Sequence, residues 1–302
     1  DDTLLVSGIS LTTDGTLTVT DLDQTDAVTA AITGFARSGE DGGLTLTDPQ
    51  LAALLAINTN VINNTQQTGQ INWSFDSDGY AFDYLGQGQV LTLTYTVTTT
   101  DSHGTTDTQD ITIVIHGENA SPVISLEPGD QNTGITNETN TSLVVDGTLS
   151  VSDINTTDSV NATTTQIQVL GTTAGLDSNN NALLSMLSIN ANVIDGTTET
   201  GTITWNFDSD SEAFDYLAVG ESLTLVYTIT VEDLFGGTDS EDITITIHGT
   251  NDTPVATAGS ASGTQDDATI TGQLVANDVD TTDTLNFALV TGPASGSVTV
   301  AA

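Results

Sequence analysis

Aspartates at a fixed spacing give the first sign of chemistry. Asp21, Asp23 and Asp26 stand as D-x-D-x-x-D directly after a run of alternating Thr, Leu and Val, and the pattern returns at Asp153, Asn155, Asp158 and at Asp278, Asp280, Asp283. Residues two apart in an extended or turning segment can bring their oxygens to one point, which suits a hard cation taking about six to eight oxygen ligands. Without a counterion, carboxylates about 5 Å apart repel by roughly 3 kcal/mol per pair at an effective dielectric near 20. Asp is also a good turn residue in its own right, but three recurrences favour a bound ion over a scatter of turns.

Further candidates are Asp76 with Asp78, Asp208 with Asp210, Asp101 with Asp107, Asp233 with Asp239, and the linker residues Glu118, Asn119, Asn251 and Asp252. All are oxygen donors, so the expected cofactor is Ca2+, several ions per chain. An ion shared between the end of one domain and the loops of the next would fix their relative angle, and Pro122 and Pro254 would add stiffness by fixing φ. No EF-hand loop and no glycine-rich nonapeptide array occurs, so the expected sites lie at the edges of folded units.

Other chemistry finds little support. Of the histidines, His103 lies in a loop and His116 and His248 hold equivalent positions, too few in any one copy for a zinc site. Asp101, Ser102 and His103 are adjacent, but a triad is assembled in space, and the corresponding positions elsewhere are Leu234 and Phe235. No G-x-S-x-G, Walker loop or dinucleotide fingerprint is present. The chain is expected not to be an enzyme.

Charge narrows the partners. Forty-one acidic residues face one basic residue, Arg37, for a formal net charge of −40. Nucleic acid and anionic membranes both need Lys and Arg opposite phosphate, so neither is an expected partner. With no lysine, internal salt bridges cannot neutralise the acids and lysine-to-asparagine crosslinks are impossible, which again favours metal. No cysteine is present, so disulfides are absent, and no run of about 18 apolar residues could cross a membrane.

Sliding the sequence on itself gives its organisation. An offset of 132 carries Trp73 onto Trp205, His116 onto His248 and Pro122 onto Pro254, and more than half the positions from Gln70 to Val123 are then identical. The third aspartate motif marks a further copy. The expected division is 1–119 for repeat 1, lacking its first strand, 120–251 for repeat 2, and 252–302 for the truncated start of repeat 3. The last 50 or so residues should be marginal alone. Either the natural molecule is longer or neighbouring chains lend strands.

Within a repeat, Thr16–Thr20 and Thr148–Ser152 alternate apolar with polar after Asp-Gly turns, and Ile71–Phe75, Val90–Thr98 and Ile111–Ile115 do the same. Two helical insertions are expected, one opened by Asp48 as N-cap with Pro49 in the first turn, the other at Phe82–Leu85. The fold class is all-β: tandem immunoglobulin-like or cadherin-like antiparallel β-sandwiches. Trp73, Trp205, Tyr84, Tyr95, Tyr216 and Tyr227 are expected in the cores, leaving Tyr80 as the exposed aromatic a sugar could stack on.

The ordered motifs Phe82-Asp83-Tyr84-Leu85-Gly86, Leu91 to Val97, Asp101 to Asp107 and Ile115-His116-Gly117 through Pro122 resemble the VCBS repeat, as do Gly236 to Asp239 and Ile247 to Pro254. The resemblance covers two near-complete copies and the opening of a third. It implies a giant bacterial surface adhesin, exported by type I secretion, extracellular and engaged in biofilm formation. The repeats would then extend or adhere, holding binding domains away from the cell. Expected partners are neighbouring repeats, other copies of the chain in a fibre built by strand exchange, and surface glycans or matrix. The first linker reads Glu118-Asn119-Ala120-Ser121 where the second has Thr250-Asn251-Asp252-Thr253, so it lacks one carboxylate.

Overall fold

A computed structural model describes residues 10–264 and 269–300. The outer limits of repeat 1, at residue 1, and of the third segment, at residue 302, lie outside the described residues.

Period-two alternation of Thr with Leu, Val, Ile or Tyr becomes two antiparallel sheets in repeat 1. Strands β1 (Thr12–Thr20), β2 (Val28–Gly39), β3 (Leu55–Ile57), β4 (Asn60–Ile62), β5 (Thr68–Asp76), β6 (Val90–Asp101) and β7 (Thr106–His116) pair in the orders β1-β5-β3 and β4-β2-β6-β7. Their inward residues, including Ile71, Phe75, Leu91, Leu93, Tyr95 and Ile113, form one core between the sheets.

Repeat 2 adds two strands at its start, β8 (Val123–Ser125) and β9 (Thr133–Asn137). Then come β10 (Val144–Ser152), β11 (Ser159–Gly171), β12 (Leu187–Ile189), β13 (Asn192–Asp195), β14 (Thr200–Asp208), β15 (Ser222–Asp233) and β16 (Thr238–His248). The sheet orders are β12-β14-β10-β8 and β13-β11-β15-β16-β9, with β9 parallel to β16 and the other pairs antiparallel. Register repeats with the sequence: Leu17 opposes Ile71 as Leu149 opposes Ile203. Both long second strands carry a bulge at the same place, Ile32/Gly34 and Thr164/Gln166. The chain is therefore a tandem pair of β-sandwiches, each with its own core.

Two expectations about helices need correction. The first helix, α1 (Asp48–Ala52), is capped one residue earlier, by Thr47, whose N–H donates to the Gln50 side chain at 3.0 Å. Its counterpart in repeat 2, α2 (Asn180–Ser185), is capped by Asn179, which accepts from the backbone of Asn181 and Ala182. Phe82–Leu85 is a turn, closed by Leu85 N–H donating to Phe82 at 3.0 Å, with Phe82 in the left-handed region at φ 60°.

The tryptophans differ. Trp205 is fully buried and donates its indole N–H to the Gln131 carbonyl at 2.8 Å, whereas Trp73 is only half-buried. The segment carrying β8 and β9 covers the first, and no described residue of repeat 1 does so for the second. Each indole lies over a strand glycine: a Cβ on Gly15 or Gly147 would come within 2.5 Å of the ring. The four core tyrosines are buried, and the hydroxyls of Tyr95 and Tyr227 donate to Leu51 and Leu183 of the helices at 2.8 and 2.9 Å. Tyr80 is half-buried, packed edge-on against Phe82.

Among the described residues beyond Pro254 only β17 (Val255–Thr257) and β18 (Val275–Asn277) pair, and Val255, Ile270, Leu274 and Val290 stay exposed. No helix among the described residues is long and apolar enough to cross a membrane.

Candidate metal centres at the repeat junctions

The aspartate motif follows β10 at the end of repeat 2 that faces repeat 1. There Asp153, Asp158 and Asp233 bring carboxylate oxygens within 4.8 Å of one another, all three residues buried. Asp153 and Asp158 enter from the loop between β10 and β11, and Asp233 from the end of β15. Asp233 Oδ1 accepts from the Phe235 and Gly237 N–H groups, and Oδ2 accepts from the Asn119 side chain of the linker at 2.9 Å.

Asn155 lies beside the cluster and ties the two repeats together. Its Oδ1 accepts from Ala120 N–H at 2.7 Å, and its Nδ2 donates to the Asp83 carbonyl of repeat 1 at 3.0 Å. Gln89 of repeat 1 donates to Thr157 of repeat 2 at 2.8 Å.

At the far end of repeat 2 a second cluster joins Glu138, Asp215 and Asp252 within the same 4.8 Å limit. Glu138 follows β9 and accepts from Thr250 N–H and Oγ1. Asp280 closes the group, its Oδ2 accepting from Asp252 N–H at 2.9 Å, as Asn155 accepts from Ala120 at the first junction. A third cluster, Asp21, Asp26 and Asp101, holds the position in repeat 1 that Asp153, Asp158 and Asp233 hold in repeat 2. Here His103 Nδ1 meets Asp26 at 3.0 Å, and this bond raises the imidazole pKa.

Six buried side-chain polar atoms lack a hydrogen-bond partner among the described residues: Asn119 Oδ1, Asp153 Oδ2, Asp158 Oδ2, Asp215 Oδ1, Asp252 Oδ2 and Asp280 Oδ1. All six are oxygens, and three lie at each junction. An unsatisfied buried acceptor costs about 1–3 kcal/mol, more when charged, so the set calls for a positive partner that the protein does not supply. Arg37 is spent on Asp41 and Asp48 at 2.6 and 2.7 Å, away from both junctions. The electrostatics agree. Burial, with like charge from Asp158 and Asp233, pushes the Asp153 carboxyl up to about 6, and burial likewise raises Asp158, Asp215 and Asp280. An all-oxygen donor set with neither thiolate nor imidazole fits a hard divalent cation.

No protein-family model and no curated protein sequence matches the chain. Solved structures similar to it include CfaE, the adhesive subunit of the CFA/I fimbria of enterotoxigenic Escherichia coli, at 11% identity and TM-score 0.35, covering 80% of this chain and 79% of that one. Human CDH23 EC21-23 is 13% identical with TM-score 0.36, over 83% of this chain and 68% of its own. Protocadherin gamma B7 extracellular cadherin domains 1–4 give 13% and TM-score 0.31, over 82% of this chain and 51% of that one.

The remaining sequence candidates are placed as follows. Asp76 and Asp208 accept from the N–H of Asp78 and Asp210, both left-handed at φ 52° and 53°, so these pairs shape turns outside the clusters. Asp23 is exposed, its N–H on Asp21. Asp239 accepts from Ile124 N–H at 2.8 Å, while Asp107 lines an open groove. Glu118 and Asn251 are exposed, Asp278 accepts from Asp280 N–H, and Asp283 is exposed with its N–H on the Asp280 carbonyl.

Glu138 and Asp215 are cluster members that the spacing argument missed. Glu138 has Val6 at the equivalent position, so no repetition announced it. Asp215 did carry a signal, since it sits in an Ala-Phe-Asp-Tyr-Leu run identical in both copies. Phe82 and Phe214 both adopt positive φ, 60° and 62°, which is costly for an aromatic residue, directly before this aspartate position in each copy.

Proposed function

We propose that the chain is a calcium-stiffened extender module of an extracellular bacterial adhesin, one that spaces binding domains from a surface by binding ions and neighbouring repeats, without catalysis. The observation that carries this reading is the set of six orphaned oxygens, all at the two places where one repeat meets the next. At the first junction Asn119, Asp153, Asp158 and Asp233 would hold an ion; at the second, Glu138, Asp215, Asp252 and Asp280 would. Bound calcium neutralises the buried carboxylates and converts a repulsive hinge into a fixed angle. The VCBS resemblance supports the extracellular, biofilm-associated setting, and the −40 charge suits a soluble, extended array.

The test is thermal unfolding and small-angle scattering of the 302-residue chain in calcium and after chelation. Chelation is expected to lower the melting temperature and to broaden the distribution of particle lengths. Identical curves in both conditions would remove the calcium reading.

A further inference from the structure

The aspartate clusters of repeats 1 and 2 share a scaffold yet are closed by different groups. In both, the aspartate that ends the long strand accepts two backbone N–H bonds from the hairpin that follows, Asp233 from Phe235 and Gly237, Asp101 from His103 and Thr105, at 2.8 or 2.9 Å. Beyond that the two part. In repeat 2 the second oxygen of Asp233 turns to the linker and accepts from Asn119, and Asp158 Oδ2 has no partner among the described residues. In repeat 1 the counterpart of Asp158 is the buried Asp26, and its Oδ2 meets His103 Nδ1 at 3.0 Å. The 132-residue offset sets His103 against Phe235 and Thr105 against Gly237.

Gly237 lies where the linker passes. A Cβ added there would overlap Asp233 Oδ2 and come 2.9 Å from both Asn119 Nδ2 and the Ser121 Cα, so the carboxylate, the amide it receives and the linker backbone all compete for that space. The backbone has little room to yield, because Ala120 N–H is held by Asn155 at 2.7 Å and Ile124 N–H by Asp239 at 2.8 Å. Gly236 beside it is left-handed at φ 90°, but Gly237 is not, so close contact and not backbone conformation requires glycine there. Thr105 puts a β-branched side chain at the same place in repeat 1.

We infer that the residue four places after the strand-end aspartate decides whether a repeat seats the linker before it. Gly237 admits a segment of the Asn119–Ser121 kind, an amide side chain followed by small residues, and so fixes repeat 2 to repeat 1. Thr105 refuses such a segment, and with His103 on Asp26 it closes the acidic end of repeat 1 by groups of the repeat itself. Selection of a docked neighbour thus resides in the accepting hairpin, not only in the linker and the carboxylates. Linker seating serves the proposed extender function and rests on that reading, whereas the overlap at Gly237 involves no ion.

Amide hydrogen exchange of the 302-residue chain in chelator tests this, since the outcome there does not depend on whether calcium binds. Gly237→Ala adds the Cβ alone, and Gly237→Thr copies repeat 1, whose sandwich forms with Thr105 in place. Both should accelerate exchange in residues 117–122 about 10-fold or more, leaving β15, β16 and residues 249–254 as in the wild type. Asn119→Ala should also accelerate exchange in 117–122, but should add little to Gly237→Thr, because the bond it removes is already lost. Linker exchange at the same rate in wild type and Gly237→Thr, or full additivity of Gly237→Thr with Asn119→Ala, would overturn the inference. Loss of protection across β15 and β16 would overturn it too, since the glycine would then serve the fold and not the linker.

Discussion

The two junctions are built from related sequence yet held in different ways. At the first, the middle position of the motif is Asn155, whose amide both accepts from Ala120 and donates to Asp83, so hydrogen bonds already cross between repeats. At the second, the same position is Asp280: it keeps the bond from Asp252 N–H, but its other oxygen meets no donor among the described residues. One change from amide to carboxylate replaces a crossing hydrogen bond with an orphaned acceptor. Asp252 in place of Ala120, with the buried Glu138, adds further negative charge beside it. The first junction should therefore keep part of its stiffness without calcium, and the second should depend on it.

The largest expected effect follows. On chelation, amide hydrogen exchange in the second linker, residues 249–254, should accelerate by at least 10-fold, with a smaller change in the first, residues 117–122. Equal loss of protection at both would break the comparison. Exchanging the motif residues should exchange the behaviours. Asn155→Asp is expected to destabilise the calcium-free first junction by about 1–3 kcal/mol, the cost of a buried unsatisfied acceptor. Asp280→Asn should make the second linker less sensitive to chelation, read by thermal unfolding and exchange in the two buffers.

Protons offer a finer probe. Because Asp153 is pushed up to about 6 and Asp158, Asp215 and Asp280 are raised as well, the calcium-free folded chain binds more protons than the unfolded chain between the ordinary carboxylate value near 4 and about 6. Stability contributed by these groups thus falls as pH rises through that window. Calcium favours the deprotonated forms and should reverse the slope, which melting curves at pH 4, 5 and 6 would show. The smallest effect is expected from Thr157→Ala, which removes the exposed hydroxyl that accepts from Gln89 and should cost about 0.5–1 kcal/mol, confined to the first junction.

Much of this architecture was legible because strands and repeats write themselves at short, regular intervals. Threonine alternating with Leu, Val or Ile marked β1, β6 and β7, and the 132-residue offset carried every assignment into β10, β15 and β16. The aspartate motif singles out Asp153 and Asp158, two of the three residues whose carboxylates converge beside the first linker. Glu138 was not legible, since it is a lone acid whose role comes from the parallel pairing of β9 with β16, a long-range contact with no local pattern. Nor was the division between cluster members and turn formers: Asp76, Asp208 and Asp153 all accept from the N–H two residues on, and only the convergence of Asp153 with Asp158 and Asp233 sets it apart. The difference between Trp73 and Trp205 is likewise not in the near-identical strands that carry them: among the described residues the segment between β8 and β9 lies over Trp205, through the Gln131 carbonyl, and has no counterpart over Trp73.

The most direct test of cation locking is a high-resolution crystal structure of the chain grown in calcium. The account expects density for an ion about 2.3–2.6 Å from Asp153, Asp158 and Asn119 oxygens, and for another at the same distance from Asp215, Asp252 and Asp280. Ordered water alone at both positions, in saturating calcium, would contradict it.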